Sequence, residues 1–145
     1  MKIEIYTDGG SRGNPGIAGA GFAAYYLDEE KKEVDGHPFF EEAVFLGEKT
    51  NNEAEYLGFL ASLKWLSTHK FGETINMVVW KLDSKLVVEQ LNKKWKIKEP
   101  RLAKFAQEAW SFLSTLPHSF TITHIPREQN SRADKLANQA MDLGS

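Results

Sequence analysis

The chain has 145 residues, 41% apolar and 26% charged, with 18 Lys and Arg against 20 Asp and Glu for a formal net charge of −2. That is the size and balance of one ordinary globular domain, and no apolar run approaches the ~20 residues of a membrane span. With no cysteine, disulfides, thiolate zinc sites and cysteine nucleophiles are excluded, and a reducing, cytoplasmic interior is expected; any nucleic-acid binding must come from local basic patches.

Lys2-Ile3-Glu4-Ile5-Tyr6 alternates as a strand does, so no signal peptide is expected before it. Then comes TDGGSRGNPG, residues 7–16. Gly9, Gly10, Gly13, Pro15 and Gly16 are poor strand and helix formers, so Asp8 is expected where the strand gives way to a glycine turn that another molecule can approach closely. Ala18–Leu27 reads as a buried second strand, Asp28–Lys32 as a charged, solvated hairpin turn, and Phe39–Leu46 as a third strand. Short connections imply an antiparallel meander. Lys49-Thr50-Asn51-Asn52 opens a helix with a broad apolar face that ends near Thr68. Ile75–Trp80 reads as a central strand, nearly all apolar. A short helix from Ser84 to about Asn92 follows, then a longer one that Pro100 starts and Pro117 stops. Phe120–Ile125 alternates as a fifth strand, and Ser131–Leu143 is a last helix with Gly144 as its end signal. The order βββαβααβα implies an α/β fold, a five-stranded sheet with helices packed on it. No repeat, low-complexity segment or linker divides the chain, so residues 1–145 are expected to form a single domain.

Four carboxylates stand at element boundaries: Asp8 and Asp83 at strand ends, Glu55 and Asp134 in first turns of helices. Each has a local alternative. Asn52-x-x-Glu55 and Ser131-x-x-Asp134 resemble capping boxes, Asp83 can be an N-cap, and Asp8 an ordinary turn residue. If strands one and four are neighbours, however, all four can meet on one edge. Carboxylates that close raise one another's pKa values unless a cation relieves them, and hard oxygen ligands suit Mg²⁺ or Mn²⁺. Two such ions ~3.5–4 Å apart can activate a water and stabilise the leaving oxygen of a phosphodiester.

Together, TDGGSRGNPG, TNNEAEY, LDSKLVVEQL and HIPREQNSRADKLA resemble type 1 ribonuclease H, motif for motif, in chain order and over essentially the whole chain. The resemblance implies the ribonuclease H-like fold, a five-stranded mixed sheet flanked by helices. It also implies an endoribonuclease that hydrolyses the RNA strand of RNA–DNA hybrids with two divalent ions, giving 3′-hydroxyl and 5′-phosphate ends. Asp8, Glu55, Asp83 and Asp134 are then the metal ligands, with Mg²⁺ expected and Mn²⁺ as a substitute. Glu53 falls at a variable position of the motif and is expected at the surface. His124 lies ten residues before Asp134, where the family often has a histidine thought to aid proton transfer or product release. In relatives with a PRE-x-N loop an arginine can take that role, so His124 and Arg127 stand as rivals.

A hybrid must be recognised through its 2′-hydroxyls and shape, and amide side chains suit this because they both donate and accept. Asn14, Asn51 and Asn52 match family positions that contact the hybrid, and their turn and cap roles are compatible with that. Gly9, Ser11 and Gly13 offer close backbone contacts, Thr50 a phosphate contact on the DNA strand, and Ser84 and Lys85 contacts to the RNA backbone. A second surface is Lys93-Lys94-Trp95-Lys96-Ile97-Lys98, whose lysines can neutralise phosphates while Trp95 stacks or packs on sugar. The alternative is an exposed loop with one anchoring aromatic. The family's full basic insertion is absent, and Lys81-Leu82 departs from the commoner small polar residues before the aspartate. The expected partner is an RNA–DNA hybrid and no membrane, with the protein a monomer. Two rival functions remain: a catalytically silent nucleic-acid-binding module, and a nuclease acting on double-stranded RNA. The NN pair and GNPG turn favour the hybrid, and none of the four carboxylates is missing.

Overall fold

In the computed structural model, which describes residues 1–27, 36–71 and 74–144, the elements follow the order βββαβααβα. Strands β1 (Lys2–Gly13), β2 (Gly16–Leu27) and β3 (Phe40–Lys49) form the antiparallel meander. Helix α1 (Asn51–Thr68) carries the chain back so that β4 (Met77–Leu82) lies parallel to β1. After α2 (Lys85–Leu91) and α3 (Pro100–Thr115), β5 (Ser119–His124) lies parallel to β4, and α4 (Ser131–Leu143) follows. The sheet order is β3-β2-β1-β4-β5, the mixed five-stranded sheet expected from the sequence. The charged stretch Asp28–Lys32 and Gly72 lie outside the described residues.

Successive residues of a strand face opposite sides of a sheet, and β1 uses this to hold a helix on each face. A Cβ on Gly9 would lie 2.2 Å from the Ala54 carbonyl oxygen of α1, while one on Gly10 would face Met141 of α4. At Gly9, α1 could not come so close to a larger residue, whereas at Gly10 the nearest atom, a Met141 side-chain carbon, lies at ordinary contact distance of 3.4 Å. Gly9 therefore serves helix packing, and this corrects the expected glycine turn. β1 runs unbroken through Asp8 to Gly13, paired with β2 as far as Gly13↔Gly16, and the turn is only Asn14-Pro15. β4 also sits two residues later than expected. Its ladder continues through Lys81, whose ammonium pairs with the buried Glu4 at 2.5 Å, while Ile75 is buried ahead of the strand. The main core lies beneath α1 and α3, where Ile3, Ile5, Phe22, Phe59, Leu63 and Trp80 are fully buried. The Trp80 indole donates to Ser62 Oγ at 3.0 Å, so its burial leaves no donor unpaired. No helix among the described residues is long and apolar enough to cross a membrane.

Candidate active site

Helix ends need side chains to satisfy their free N–H groups, and neighbours of the four carboxylates do that work. Thr50 is the N-cap of α1: its Oγ1 accepts from the Glu53 N–H at 3.2 Å, and its own N–H donates to Glu53 Oε1 at 3.0 Å. The capping box is thus Thr50 with Glu53, not Asn52 with Glu55. Glu53 is buried there, against its expected surface position, and the Thr50 N–H holds its carboxyl below the usual range. Glu55 is the fifth residue of α1, two residues later than the expected box would put it, with no part in the cap. Ser84 caps α2 by accepting from the Val87 N–H at 3.3 Å, which leaves Asp83 outside the helix. Asn130 holds the N-cap position of α4, so Ser131 is already helical and no Ser131–Asp134 box forms.

The last registered pair of the parallel β1–β4 ladder is Thr7↔Leu82. Asp8, still within β1, and Asp83, just past β4, come next, at the carboxyl end of the parallel ladder, where α/β sheets commonly bind ligands. Carboxylate oxygens of Asp8, Glu55 and Asp83 lie within 4.8 Å of one another. Asp8 and Glu55 are buried, and Asp83 is partly buried. The Gly9 N–H donates to Asp8 Oδ1 at 2.9 Å. Asn130, 1% exposed, donates through Nδ2 to Asp83 Oδ2 at 3.0 Å and to the Thr7 carbonyl at 2.9 Å, binding the end of the β1–β4 ladder to the start of α4. Asp134 stands outside the trio on the first turn of α4, partly exposed, and lines the same cleft of about 400 Å³. Its Oδ1 is 3.8 Å from Arg127.

Burial, and then the charge of Asp83, pushes the Asp8 carboxyl up to about 7. Burial, and then the charge of Asp8, raises Glu55 well above its ordinary value, and burial raises Asp83. Glu55 Oε2 is buried with no hydrogen-bond partner. A buried, mutually repelling set of hard oxygen donors with one orphaned oxygen fits a divalent cation of the Mg²⁺ or Mn²⁺ kind.

Most of the other sequence-predicted residues fall in three places. Gly9, Ser11, Asn51, Ser84 and Arg127 line the carboxylate cleft. Ser11 Oγ donates to the carbonyls of Gly13 and, at 2.8 Å, Lys49, tying the β1 end to α1's approach. Asn14, Thr50 and Asn52 line an adjoining depression with Arg101, and Asn14 Oδ1 accepts from the Asn51 N–H at 3.0 Å. Lys93, Lys94, Trp95 and Lys96 form a separate surface beyond α2, with Trp95 44% exposed and the Lys85 ammonium 5.9 Å from its ring centre. His124 ends β5, exposed and outside the cleft lining, with Nε2 3.2 Å from the Asp83 carbonyl oxygen. The sequence reading missed Arg12, Asn138 and Met141, which line the cleft, and the role of Asn130. Only the buried Asn130 gave a signal, as a polar residue just before a helix start.

Residues 7–140 match the model of the family described as reverse transcriptase-like. The chain is 41% identical to a protein described as bifunctional from Mycobacterium tuberculosis, over 100% of this chain and 37% of that protein. It therefore spans little more than a third of the mycobacterial relatives that it matches. The crystal structure of RNase H1 from the halophilic archaeon Halobacterium salinarum is similar at a TM-score of 0.84 and 34% identity, covering 98% of each chain. LC11-RNase H1, solved in complex with an RNA/DNA hybrid, is similar at a TM-score of 0.81 and 36% identity, again over 98% of each chain.

Proposed function

Because this chain belongs to the type 1 ribonuclease H family, we propose that it is an endoribonuclease that hydrolyses the RNA strand of RNA–DNA hybrids by two-metal-ion catalysis. The observation that carries this reading is the meeting of Asp8, Glu55 and Asp83 within 4.8 Å where the parallel β1–β4 ladder ends. We assign these three, with Asp134 on the rim of the same cleft, as the residues that hold Mg²⁺ or, in its place, Mn²⁺. When bound, the ions supply a nucleophile from water at neutral pH and charge stabilisation for the leaving oxygen. In-line attack on the scissile phosphorus breaks its bond to O3′, leaving a 3′-hydroxyl on one fragment and a 5′-phosphate on the other.

The chain's own groups prepare that displacement. The Gly9 N–H and Asn130 Nδ2 fix one oxygen each of Asp8 and Asp83, so two of the carboxylates need no reorganisation as charge develops. Arg127 faces the cleft beside Asp134 and suits neutralising the departing 5′-phosphate, whereas His124 engages the Asp83 carbonyl from outside the lining. This favours Arg127 of the two rivals. Asn51 in the cleft, and Asn14 and Asn52 in the depression next to it, carry amides suited to reading 2′-hydroxyls across a wide minor groove, and we assign them that contact.

The experiment that tests this reading offers one RNA sequence in three forms, paired with DNA, paired with RNA, and single-stranded, beside duplex DNA. Cutting confined to the RNA of the hybrid, with 3′-hydroxyl and 5′-phosphate ends, is expected. Equal cutting of double-stranded RNA would replace the hybrid reading with the double-strand one.

A further inference from the structure

Directly after Glu55, α1 carries Tyr56, whose side chain is fully buried. Its hydroxyl donates to Gln90 Oε1 at 2.7 Å, and Gln90 Nε2 reaches the carbonyl oxygen of Lys96 at 3.5 Å. Gln90 is itself buried, on α2. A relay, buried at Tyr56 and Gln90 and part-buried at its bond to Lys96, thus runs from the helical turn that bears Glu55 to the middle of the Lys93–Lys98 segment. That segment has no regular secondary structure and carries four lysines in six residues. Like charges so near one another repel, so a single orientation of this loop needs contacts that hold it.

Several interactions hold its first half. The Lys93 N–H donates to the Gln90 carbonyl at 3.0 Å, and the Lys94 and Trp95 N–H groups donate to the Glu89 carbonyl at 2.9 and 3.2 Å. Lys93 has φ 62, a conformation that a non-glycine residue keeps only where its surroundings impose it. Its ammonium lies 4.9 Å from the centre of the Trp110 ring, and Trp110 Nε1 donates to the Leu91 carbonyl at 2.9 Å. At Lys96 the bond from Gln90 ties the segment to the core, and Tyr56 fixes which way the Gln90 amide points.

We propose that Tyr56 and Gln90 are positioning residues that hold Lys93–Lys98 in one orientation and so set the affinity for the nucleic-acid backbone without touching it. The proposal rests on the reading of this chain as a hybrid-cutting nuclease. Its physical basis is preorganisation: a loop ordered on folding loses less freedom on binding than a loose one. Because the relay starts beside Glu55, it also fixes the basic surface relative to the carboxylates, so both engage one duplex at once.

The segment's own lysines are reporters for trypsin. In Tyr56→Phe and Gln90→Leu, cleavage after Lys93, Lys94, Lys96 and Lys98 below the melting transition is expected to be about tenfold faster than in the unaltered chain, with cleavage elsewhere unchanged. KM for a hybrid is expected to rise about 3- to 10-fold in both variants while kcat stays within about twofold. In a Lys94→Ala, Lys96→Ala background, Tyr56→Phe should no longer raise KM. Tryptic patterns indistinguishable from the unaltered chain would overturn the proposal. So would a KM shift of equal size with and without the two lysines, the signature of a merely structural pair. If the unaltered chain cuts no hybrid, the nuclease reading fails, and the tryptic rates alone decide the positioning role.

Discussion

Replacing Asp8 with asparagine separates the charge of the cleft from its shape. Burial and the neighbouring Asp83 push the Asp8 carboxyl up to about 7 from 3.8. Between those values the folded state binds more protons than the unfolded one, so metal-free stability falls as pH rises from about 4 to about 7 and is flat above that. At ~1.36 kcal/mol for each pH unit, the displacement amounts to ~4 kcal/mol at pH 8. Asp8 shares that burden with Glu55 as a coupled pair, so Asp8→Asn is expected to recover ~2–4 kcal/mol. The substituted side chain keeps an oxygen for the Gly9 N–H, 2.9 Å from Asp8 Oδ1, and its amide can donate to the orphaned Glu55 Oε2. Thermal melts in EDTA at pH 8 should therefore show Asp8→Asn more stable, by roughly 5–10 °C in Tm. The difference should shrink towards zero at pH 4, where Asp8 is protonated anyway. Mg²⁺ should stabilise the unaltered chain more than the variant, and hybrid cleavage should be lost in the variant. A variant less stable at pH 8, or a difference that does not change with pH, would refute the electrostatic argument and return Asp8 to a structural role.

The two glutamates of α1 should behave in opposite ways. Glu53→Ala removes the capping box and should cost ~1 kcal/mol in denaturant melts with hybrid cleavage retained, whereas Glu55→Gln should keep or raise metal-free stability and lower the cleavage rate by more than about 100-fold. Asn130→Ala leaves the buried Thr7 carbonyl without its side-chain donor and frees Asp83, so a loss of ~2–4 kcal/mol is expected, together with weaker Mg²⁺ stabilisation in the same melts. Replacing Lys94 and Lys96 with alanine should weaken hybrid binding whatever its sequence. The salt slope, read by fluorescence anisotropy from low to high salt, should fall by about 1 for each phosphate that is no longer neutralised.

How much of this was legible in the sequence varied with the range of the interaction that decides each feature. Alternation in Lys2–Tyr6 and Phe120–Ile125, the apolar run before Asp83 and the Pro100 and Pro117 signals sufficed for the element order, because they are local. The glycines of 9–13 misled because the reason for Gly9 is not local. Gly9 is small to admit the Ala54 backbone of α1, and nothing within ten residues of it says so. The capping assignment failed on a shift of two residues. Thr50-x-x-Glu53 and Asn52-x-x-Glu55 both fit the template, and only the helix start at Asn51 decides between them. The convergence of Asp8, Glu55 and Asp83 followed once β1 and β4 were taken as neighbours. Arg12 and the Tyr56–Gln90 pair were out of reach, since each acts through partners at least 30 residues away, while Asn130 showed its place before a helix but not its bond to Asp83, 47 residues distant.

The most direct measurement follows RNA end-labelled and annealed to DNA, with Mg²⁺, with Mn²⁺ and with EDTA, for the unaltered chain and for Asp83→Asn. Cutting that requires a divalent ion and disappears in a folded Asp83→Asn is the expected result. Salt-sensitive binding with no cutting in either metal would contradict the nuclease reading and leave a silent binding module. Cutting that survives Asp83→Asn would place the chemistry outside the carboxylate cleft.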